Sequence, residues 1–257
     1  MHARLGQHFL ISPEVRDAIL EAAGVLPSDR VLEIGPGRGM LTRALLGRGA
    51  EVVAVELDEG LAESLEAELS CPRLRLLRAD FLKLDLKELG AGPLKVVANL
   101  PYAVATPILQ RLLPWPLWRS GVLMFQKEVA ARLTASPGSG SYGLLTLSVL
   151  LYAQADEVLE VPRESFLPRP RVASALVLLR RRPEPLLPSD KRAAFFKVAK
   201  AAFSERRKMA SSPISRLLGL AREEVDQTLA RLGVDPRSRA EQIPLEAFLR
   251  LPEGLGL

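Results

Sequence analysis

The amino-acid sequence predicts an α/β protein with a doubly wound sheet of seven mostly parallel strands, followed by a small all-α C-terminal domain. From Arg30 to about Arg180, short β-branched or leucine-rich runs alternate with helical patterns, which is typical of a parallel sheet flanked by helices. Beyond the proline-rich stretch RRRPEPLLPSD the periodicity is only helical. We therefore predict one domain over residues 1–182 and a helical domain over residues 183–257.

The strands are predicted from short apolar runs that are bounded by polar or turn residues. They are Arg30–Ile34, Glu51–Val55, Leu74–Arg78, Lys95–Ala98, Gly121–Phe125, Glu157–Val161 and Ala175–Leu179. Helical spacing marks the segments LTRALLGRG, GLAESLEAELS, TPILQRLL and KEVAARLT between them. The loop between the last two strands is too short for a helical crossover, so these strands should pair antiparallel. We expect Ser189 to be the N-cap of the first helix in the C-terminal domain.

Composition excludes several classes of protein. The 257 residues are 48% hydrophobic, which is ample for a core, and they include one cysteine, Cys71, and two histidines, His2 and His8. So few potential ligands predict no metal site, and a Ser-His-Asp triad is excluded. The polar opening segment does not resemble a secretory signal, and the longest apolar stretch is too short to span a membrane. We therefore expect a cytoplasmic protein without a membrane partner.

The net charge of +5 arises entirely in the last third of the chain. Residues 1–180 contain equal numbers of basic and acidic residues, whereas residues 181–257 contain 15 basic and 10 acidic residues. Within this region FSERRKMASS clusters Arg206, Arg207 and Lys208. The distribution favours a polyanionic partner that these three side chains would bind, although a solvated helical surface has the same composition.

A glycine-rich turn follows the first predicted strand, in VLEIGPGRGMLTRALL. Gly35, Gly37 and Gly39 lack Cβ atoms, so the chain can turn tightly there and a ligand can approach the backbone. The helix that follows presents its N-terminal amides to the same place. The spacing G-x-G-x-G differs from the G-x-G-x-x-G of dinucleotide-binding proteins, and many α/β turns need glycine only for packing. The surrounding residues therefore decide its meaning.

Two carboxylates follow the next two predicted strands. Glu56 lies about 20 residues beyond the glycines, where a carboxylate can accept both hydroxyl protons of a ribose. Asp80 follows the third strand, where its carboxylate can accept a hydrogen bond from the amino group of an adenine. Phe81, next to it, can pack against the adenine ring. Each carboxylate alone is equally consistent with a helix start, Glu56 as an N-terminal charge and Asp80 as an N-cap. With the glycines, and with Leu57 beside Glu56, they predict an adenosyl pocket at the carboxyl edge of the sheet.

This arrangement resembles the class I S-adenosylmethionine-dependent methyltransferases. The resemblance implies a Rossmann-like fold and S-adenosyl-L-methionine as the cofactor. It also implies that the end of the fourth strand, which reads Asn99-Leu100-Pro101-Tyr102, lies beside the transferred methyl group.

The residues Asn99 to Tyr102 suit methylation of an exocyclic adenine amine, which is a poor nucleophile because its lone pair is delocalised into the ring. The Asn99 side-chain oxygen and the Leu100 carbonyl can accept the two amine protons and direct the lone pair outward. Pro101 restricts Leu100 to an extended geometry, and Tyr102 offers a stacking face. A simple turn is the alternative interpretation, because asparagine and proline are common in turns.

The segments RLGQHFL, GPGRG, NLPY, MFQKEVAARL and FLPRPRVAS together resemble the KsgA family of small-subunit ribosomal RNA adenine dimethyltransferases, over nearly the whole chain. The resemblance implies transfer of two methyl groups to N6 of each of two adjacent adenosines near the 3′ end of that RNA, within a pre-ribosomal particle. It implies that Phe166 covers the second face of the target base. It also implies that Gln7 and Phe9, from the family's Gln-Asn-Phe motif, help to close the cofactor site, where His8 replaces the asparagine. Asn99 is expected to contact the cofactor as well.

Two other functions stay open. One is N6-methylation of adenine in large-subunit ribosomal RNA, and the other is a non-catalytic RNA-binding assembly factor on the same scaffold. Leu100, QKEVAARL and the Phe-x-Pro-x-Pro segment favour the small-subunit enzyme. The intact Asn99 and Tyr102 argue against a loss of catalysis.

Overall fold

A computed structural model describes residues 7–257 of the chain, so His2 and residues 4–6 of the RLGQHFL motif lie outside the described residues. The described chain forms two compact units. The first extends to Ala130 and resumes over Ala153–Arg182, and the second combines Ala131–Tyr152 with Pro183–Leu257. The first unit ends at Arg182, where the sequence predicts the end of the first domain. Ala131–Tyr152, however, was predicted to belong to the first domain and packs within the second unit.

Nine strands lie within residues 7–257, and each of the seven predicted strands falls inside one of them. They are β1 (Phe9–Leu10), β2 (Arg30–Ile34), β3 (Glu51–Glu56), β4 (Leu74–Arg78), β5 (Leu94–Asn99), β6 (Trp118–Gln126), β7 (Ala153–Val161), β8 (Phe166–Leu167) and β9 (Ser174–Arg181). The two that the sequence did not predict, β1 and β8, form a separate antiparallel pair.

The main sheet has the strand order β4-β3-β2-β5-β6-β9-β7. The five strands from β4 to β6 are parallel, and β9 runs antiparallel to β6 and β7 on either side of it. A mostly parallel sheet of seven strands is thus confirmed, as is antiparallel pairing of the last two predicted strands. From β2 the chain winds outward to β3 and β4 on one side and later to β5 and β6 on the other. Such a reversal creates a crevice at the carboxyl ends of the strands.

Ten α-helices lie within the same residues. They are α1 (Pro13–Ala23), α2 (Met40–Gly47), α3 (Glu59–Glu68), α4 (Ala105–Leu112), α5 (Lys127–Leu133), α6 (Leu144–Tyr152), α7 (Ser189–Phe203), α8 (Ser211–Leu218), α9 (Arg222–Arg231) and α10 (Leu245–Gly254). Local signals explain their bounds: in α1 the Ser12 side chain accepts a hydrogen bond from the Val15 amide, and Gly24 ends the helix in a left-handed conformation. None of these helices combines the length and hydropathy that a membrane crossing needs.

The central strands are apolar on both faces because helices cover the sheet on either side. Val31, Leu32 and Val97 are fully buried. Glu33 interrupts this run with a carboxyl group that is only 1% exposed.

The second unit is a helical bundle around α7, with the Phe203 and Phe248 rings stacked 5.7 Å apart. Helix α6 is apolar around most of its surface and is largely buried, as is typical of a helix in the interior of a bundle. The expectation that Ser189 is an N-cap is wrong. Pro188 holds that position in an extended conformation, with no side-chain cap, and Ser189 is the first helical residue.

Gly39 and Gly47, at opposite ends of α2, offer a matched test of backbone strain. Gly39 has a φ of +75°, and an added Cβ would overlap the Leu65 side chain, whereas a Cβ at Gly47 meets nothing within 4 Å. We expect Gly39→Ala to lower the free energy of unfolding by about 1–3 kcal/mol, and Gly47→Ala to leave it unchanged or raise it by up to about 1 kcal/mol. Urea denaturation measures both, and equal midpoints for the two variants would contradict this account of the turn.

Candidate active site at the carboxyl edge of the sheet

The carboxyl ends of β2, β3, β4 and β5 meet at one edge of the sheet and form two adjoining cavities. The larger, of about 650 Å³, is lined by Gln7, Gly35, Glu56, Leu57, Asp80 and Phe81 among others. The second is lined by residues that include Gln7, His8, Gly35, Gly37, Glu56, Asn99, Leu100, Pro101 and Tyr102. All nine residues predicted to bind the cofactor, and four of the five predicted to be catalytic, therefore lie on these two cavities.

The glycine turn between β2 and α2 forms the floor of the site. Gly35, Gly37 and Gly39 have φ angles of +70°, +56° and +75°, which only glycine adopts without strain. A Cβ at Gly37 would also lie 3.1 Å from the Phe9 ring, which would have to shift by a few tenths of an ångström to admit it. The backbone is therefore bare and strongly curved where a ligand would approach.

Glu56 is 4% exposed and holds two backbone amides. Its carboxylate accepts a hydrogen bond of 3.0 Å from the Gly37 N–H and one of 2.9 Å from the Asp58 N–H. The N-cap of α3 is Asp58, whose side chain accepts from the Leu61 amide at 3.0 Å. Glu56 thus ties β3 to the glycine turn and lines both cavities, rather than capping the helix.

Asp80 and Phe81 form the wall beyond β4. The Asp80 carboxylate accepts a hydrogen bond of 2.9 Å from the Leu82 amide, which fixes a turn and not a helix start. Phe81 is buried, with 4% exposure, and lines the larger cavity together with Leu57.

Asn99 is held by the backbone of the N-terminal segment. Its Nδ2 donates a hydrogen bond of 3.0 Å to the His8 carbonyl. Because the amide nitrogen is used in this way, Oδ1 is the group left to accept from a ligand. Within residues 7–257 no donor reaches Asn99 Oδ1, and no backbone N–H donates to the Leu100 carbonyl. The Leu100 side chain is 1% exposed and anchors this turn in the core.

Tyr102 is positioned by two contacts. Its hydroxyl is hydrogen-bonded to the Ser174 hydroxyl, and its ring lies 5.4 Å from the His8 ring at a tilt of 33°. Burial raises the pKa of the Tyr102 phenol, so this group stays neutral at physiological pH. The ring is half-buried at the cavity wall and can serve as a stacking surface.

Residues 7–11, which we call the N-terminal strap, connect three parts of the site. Phe9 lies under the Arg38 guanidinium, 4.7 Å from the ring centroid, and packs on Gly37. His8 Nδ1 is hydrogen-bonded to the Pro168 carbonyl at 2.7 Å, and the strap strand β1 pairs with β8. The strap therefore links the glycine turn, Asn99 and the FLPRPRVAS segment.

Phe166 does not join these residues. It is 2% exposed, pairs with Leu10 across β1 and β8, and packs in the hydrophobic core beside Val161 and Leu176. It lines neither cavity, so the expectation that its ring covers the second face of a target base stays a prediction. A run such as FLPRPRV cannot tell a buried ring from an exposed one.

Glu33 is a site residue that the sequence analysis missed. Its Oε2 has no hydrogen-bond partner within residues 7–257, and it lines the cavity beside Gly37. Burial and the neighbouring Glu56 raise the pKa of the Glu33 carboxyl to about 8. The signal was present in VLEIGPG, where an acidic residue interrupts an apolar strand.

These groups fit S-adenosylmethionine. The Glu33 Oε2 atom, which is buried without a partner among residues 7–257, indicates that a polar ligand group completes its hydrogen bonding. The bare glycine backbone, the Glu56 and Asp80 carboxylates and the Phe81 ring suit the polar and aromatic parts of an adenosyl group. No set of three or more His, Cys, Asp or Glu side chains in the described part of the chain is arranged to hold a metal ion.

The predicted RNA-binding residues lie in the second unit and are not equivalent. Arg206 donates hydrogen bonds to the carbonyls of Gly140 and Tyr142, at 2.9 and 3.0 Å. Lys208 forms an ion pair of 2.6 Å with Glu205. Arg207 is exposed and makes no ion pair or side-chain hydrogen bond with the described residues.

Comparison with known proteins adds independent evidence to this geometry. A model of the family "Ribosomal RNA adenine dimethylase" matches residues 1–255. The chain belongs to this family. It is therefore an S-adenosylmethionine-dependent methyltransferase that modifies adenine in ribosomal RNA.

Curated relatives and solved structures resemble the chain over nearly its whole length. A "Ribosomal RNA small subunit methyltransferase A" from Thermosynechococcus vestitus is 44% identical, over 98% of this chain and 96% of the relative. One from Desulfitobacterium hafniense is 41% identical, over 99% and 92%. A dimethyladenosine transferase from Plasmodium falciparum has a TM-score of 0.81 at 27% identity, over 95% and 96% of the two chains. The 23S rRNA methyltransferase ErmE has a TM-score of 0.75 at 30% identity, over 97% and 100%.

The raised pKa of Glu33 makes the stability of the ligand-free protein depend on pH. The unfolded chain releases this proton near the ordinary value of 4.5, whereas the folded chain keeps it up to about pH 8. Folding therefore takes up a proton between these values, and stability falls as pH rises through this window. We expect Glu33→Gln to abolish this decline. The free energy of unfolding of the variant should therefore rise relative to that of the wild type from pH 5 to pH 8, and the difference between the two should be constant above pH 8.

Urea denaturation at several pH values measures the effect. Glu21→Gln, at an exposed position of α1, is the matched control and should follow the wild type. A Glu33→Gln variant whose stability runs parallel to the wild type across this window would show that Glu33 is charged in the folded protein.

Proposed function

We propose that this chain transfers methyl groups from S-adenosylmethionine to N6 of two adjacent adenosines near the 3′ end of small-subunit ribosomal RNA, in a cytoplasmic pre-ribosomal particle. The observation that carries the proposal is the pair of acceptors at the end of β5. Among residues 7–257 no donor reaches Asn99 Oδ1 or the Leu100 carbonyl, and both residues line the same cavity as the glycine turn. The printed names of the curated relatives support the small-subunit target.

The cofactor would be held by the larger cavity and the glycine turn, with Glu56 and Asp80 as acceptors and Phe81 as an apolar wall. When bound, S-adenosylmethionine supplies an electrophilic methyl group on a sulfonium centre. The strap and the buried Leu100 line one side of this site. Glu33, which is mostly protonated at neutral pH without a ligand, can give or accept a hydrogen bond there.

The two acceptors would activate the adenine amine. In the first transfer each accepts a hydrogen bond from one amine N–H, which opposes delocalisation of the nitrogen lone pair into the ring. The methylamine that is formed keeps one N–H to donate in the second transfer. The Asn99 amide is oriented beforehand by the His8 carbonyl, so little reorganisation is needed at the moment of reaction. The amine loses its proton to solvent after alkylation, so no strong general base is required.

Tyr102 would hold the target base by stacking. The base must first be flipped out of its RNA context, which costs a few kcal/mol. Stacking on one aromatic ring returns about 1–3 kcal/mol, and the bond to Ser174 together with the His8 contact keeps the ring in place. A role for Phe166 on the second face requires that β8 move away from β1, since the ring is buried in the present conformation.

A large-subunit RNA target is the second candidate, supported by the likeness to ErmE. Labelled S-adenosylmethionine with immature small subunits, or with naked large-subunit RNA, separates the two. We expect methyl transfer to small-subunit particles and none to large-subunit RNA. The reverse pattern would replace the proposal, and RNA binding without transfer to either would favour a non-catalytic assembly factor.

Removal of the Asn99 amide tests the mechanism. We expect Asn99→Ala to slow single-turnover methylation by about a hundredfold or more, because one preorganised acceptor is lost. The affinity for S-adenosylmethionine, measured by calorimetry, should change little. Gln154→Ala is the control: it removes an exposed amide on β7 that lines neither cavity, so its rate should stay close to wild type. A weakened cofactor affinity with an unchanged single-turnover rate would reassign Asn99 to cofactor binding alone.

A further inference from the structure

Glu33 is a buried acidic residue whose ligand-free form has no cation beside it. It lies on β2 among Val31, Leu32 and Ile34, which are at most 3% exposed. Within residues 7–257 no group hydrogen-bonds to its buried Oε2, and no basic side chain forms an ion pair with the carboxyl. A buried carboxylate without such partners is strongly destabilised by the loss of its hydration. The ligand-free site therefore holds Glu33 as a neutral acid.

The charged and titratable groups around Glu33 do not favour its ionisation. Burial raises the pKa of Glu33 most, the polar groups of Thr42 on α2 lower it less, and the Glu56 carboxylate on β3 raises it further. The other titratable or charged residues that line the same cavity are Arg38 of the glycine turn, His8 of the strap and Tyr102 after β5. Glu33 thus has a neighbouring negative charge and no paired cation among the described residues.

The position of Glu33 fits a positively charged ligand group. It shares its cavity with Asn99 and Leu100, which in the proposed function accept from the amine of the target base. The sulfonium that carries the methyl group must come close to these acceptors, and the ammonium of the methionine part is only a few bonds away from it. The carboxylate of the methionine part has another partner available, because Arg38 lines this cavity and makes no ion pair with the described residues.

We propose that Glu33 binds a positive charge of the cofactor's methionine part, and that it releases its proton to water when the cofactor binds. The inference rests on the proposed function for the identity of the cofactor. The O–H bond of the neutral carboxyl breaks and the proton passes to solvent. The carboxylate that remains pairs with the ammonium or the sulfonium, and no electron is transferred. Binding thereby supplies the opposite charge that makes ionisation of a buried carboxyl favourable.

Calorimetry of S-adenosylmethionine binding measures the proton release directly. The titration is made at about pH 6.5 in two buffers that differ in their enthalpy of ionisation, and the ammonium of the ligand keeps its proton at this pH. Glu33 is still protonated there in the ligand-free protein. We expect the release of about one proton per site, and an affinity that rises about tenfold from pH 6 to pH 7, because the complex binds one proton fewer than its separate components.

Glu33→Gln removes the proton that is released. This variant should bind the cofactor without proton release and with an affinity that varies little over the same pH range. Glu21→Gln, at an exposed position of α1 outside both cavities, is the matched control and should behave like the wild type. Thermal unfolding establishes that both variants are folded.

Altered ligands test the charge pairing in the wild type, without any variant. 5′-Methylthioadenosine has neither the ammonium nor the sulfonium and should bind without proton release. S-adenosylhomocysteine lacks only the sulfonium charge. Proton release with this ligand would assign the ammonium as the partner of Glu33, and loss of the release would assign the sulfonium.

Three results would overturn the inference. Proton release with methylthioadenosine would show that burial of the site, and not charge pairing, drives it. Proton release by Glu33→Gln would assign it to another group. Binding of S-adenosylmethionine by the wild type without proton release, and with an affinity independent of pH, would show that Glu33 stays a neutral acid in the complex. Failure of the proposed function is distinct, because absence of methyl transfer to RNA would leave these binding measurements unchanged.

Discussion

The parallel pairing of β2 with both β3 and β5 is the constraint on which the rest of the site depends. Parallel strands end at the same edge of a sheet, and the chain winds away from β2 in two directions. The turns that follow these strands therefore open a crevice rather than pack against each other. Gly35, Glu56 and Asn99 are far apart in sequence. They meet at this edge because each lies at or just after the carboxyl end of one of three neighbouring parallel strands.

The strap converts this crevice into an oriented site. An asparagine amide can present either its oxygen or its nitrogen to a ligand, and the hydrogen bond from Nδ2 to the His8 carbonyl selects the oxygen. Phe9 keeps the strap in place by packing between Arg38 and Gly37. A substitution in the strap would thus disturb the acceptor geometry as well as the cofactor cavity, since the same few residues serve both.

Much of the candidate site could be predicted from the sequence because its signals are local. A glycine needed for a left-handed turn, an acidic residue after a strand and the tetrapeptide at Asn99 are all visible within a few residues. The environments of Glu33 and Phe166 were harder to predict. A strand pattern does not show which buried side chain lacks a hydrogen-bond partner or which aromatic ring is buried. Charge counting found a basic C-terminal region but could not separate Arg206, whose hydrogen bonds are internal, from Arg207.

The sequence by itself determined the seven strands and their mostly parallel arrangement, because hydrophobic periodicity and turn residues act over short distances. The tertiary structure alone decided that Ala131–Tyr152 joins the second unit, that β1 pairs with β8, and that the Asn99 amide nitrogen donates to the His8 carbonyl. Each of these outcomes depends on contacts between residues distant in the chain. An apolar helix or a two-residue strand carries no local mark of the partner it will meet.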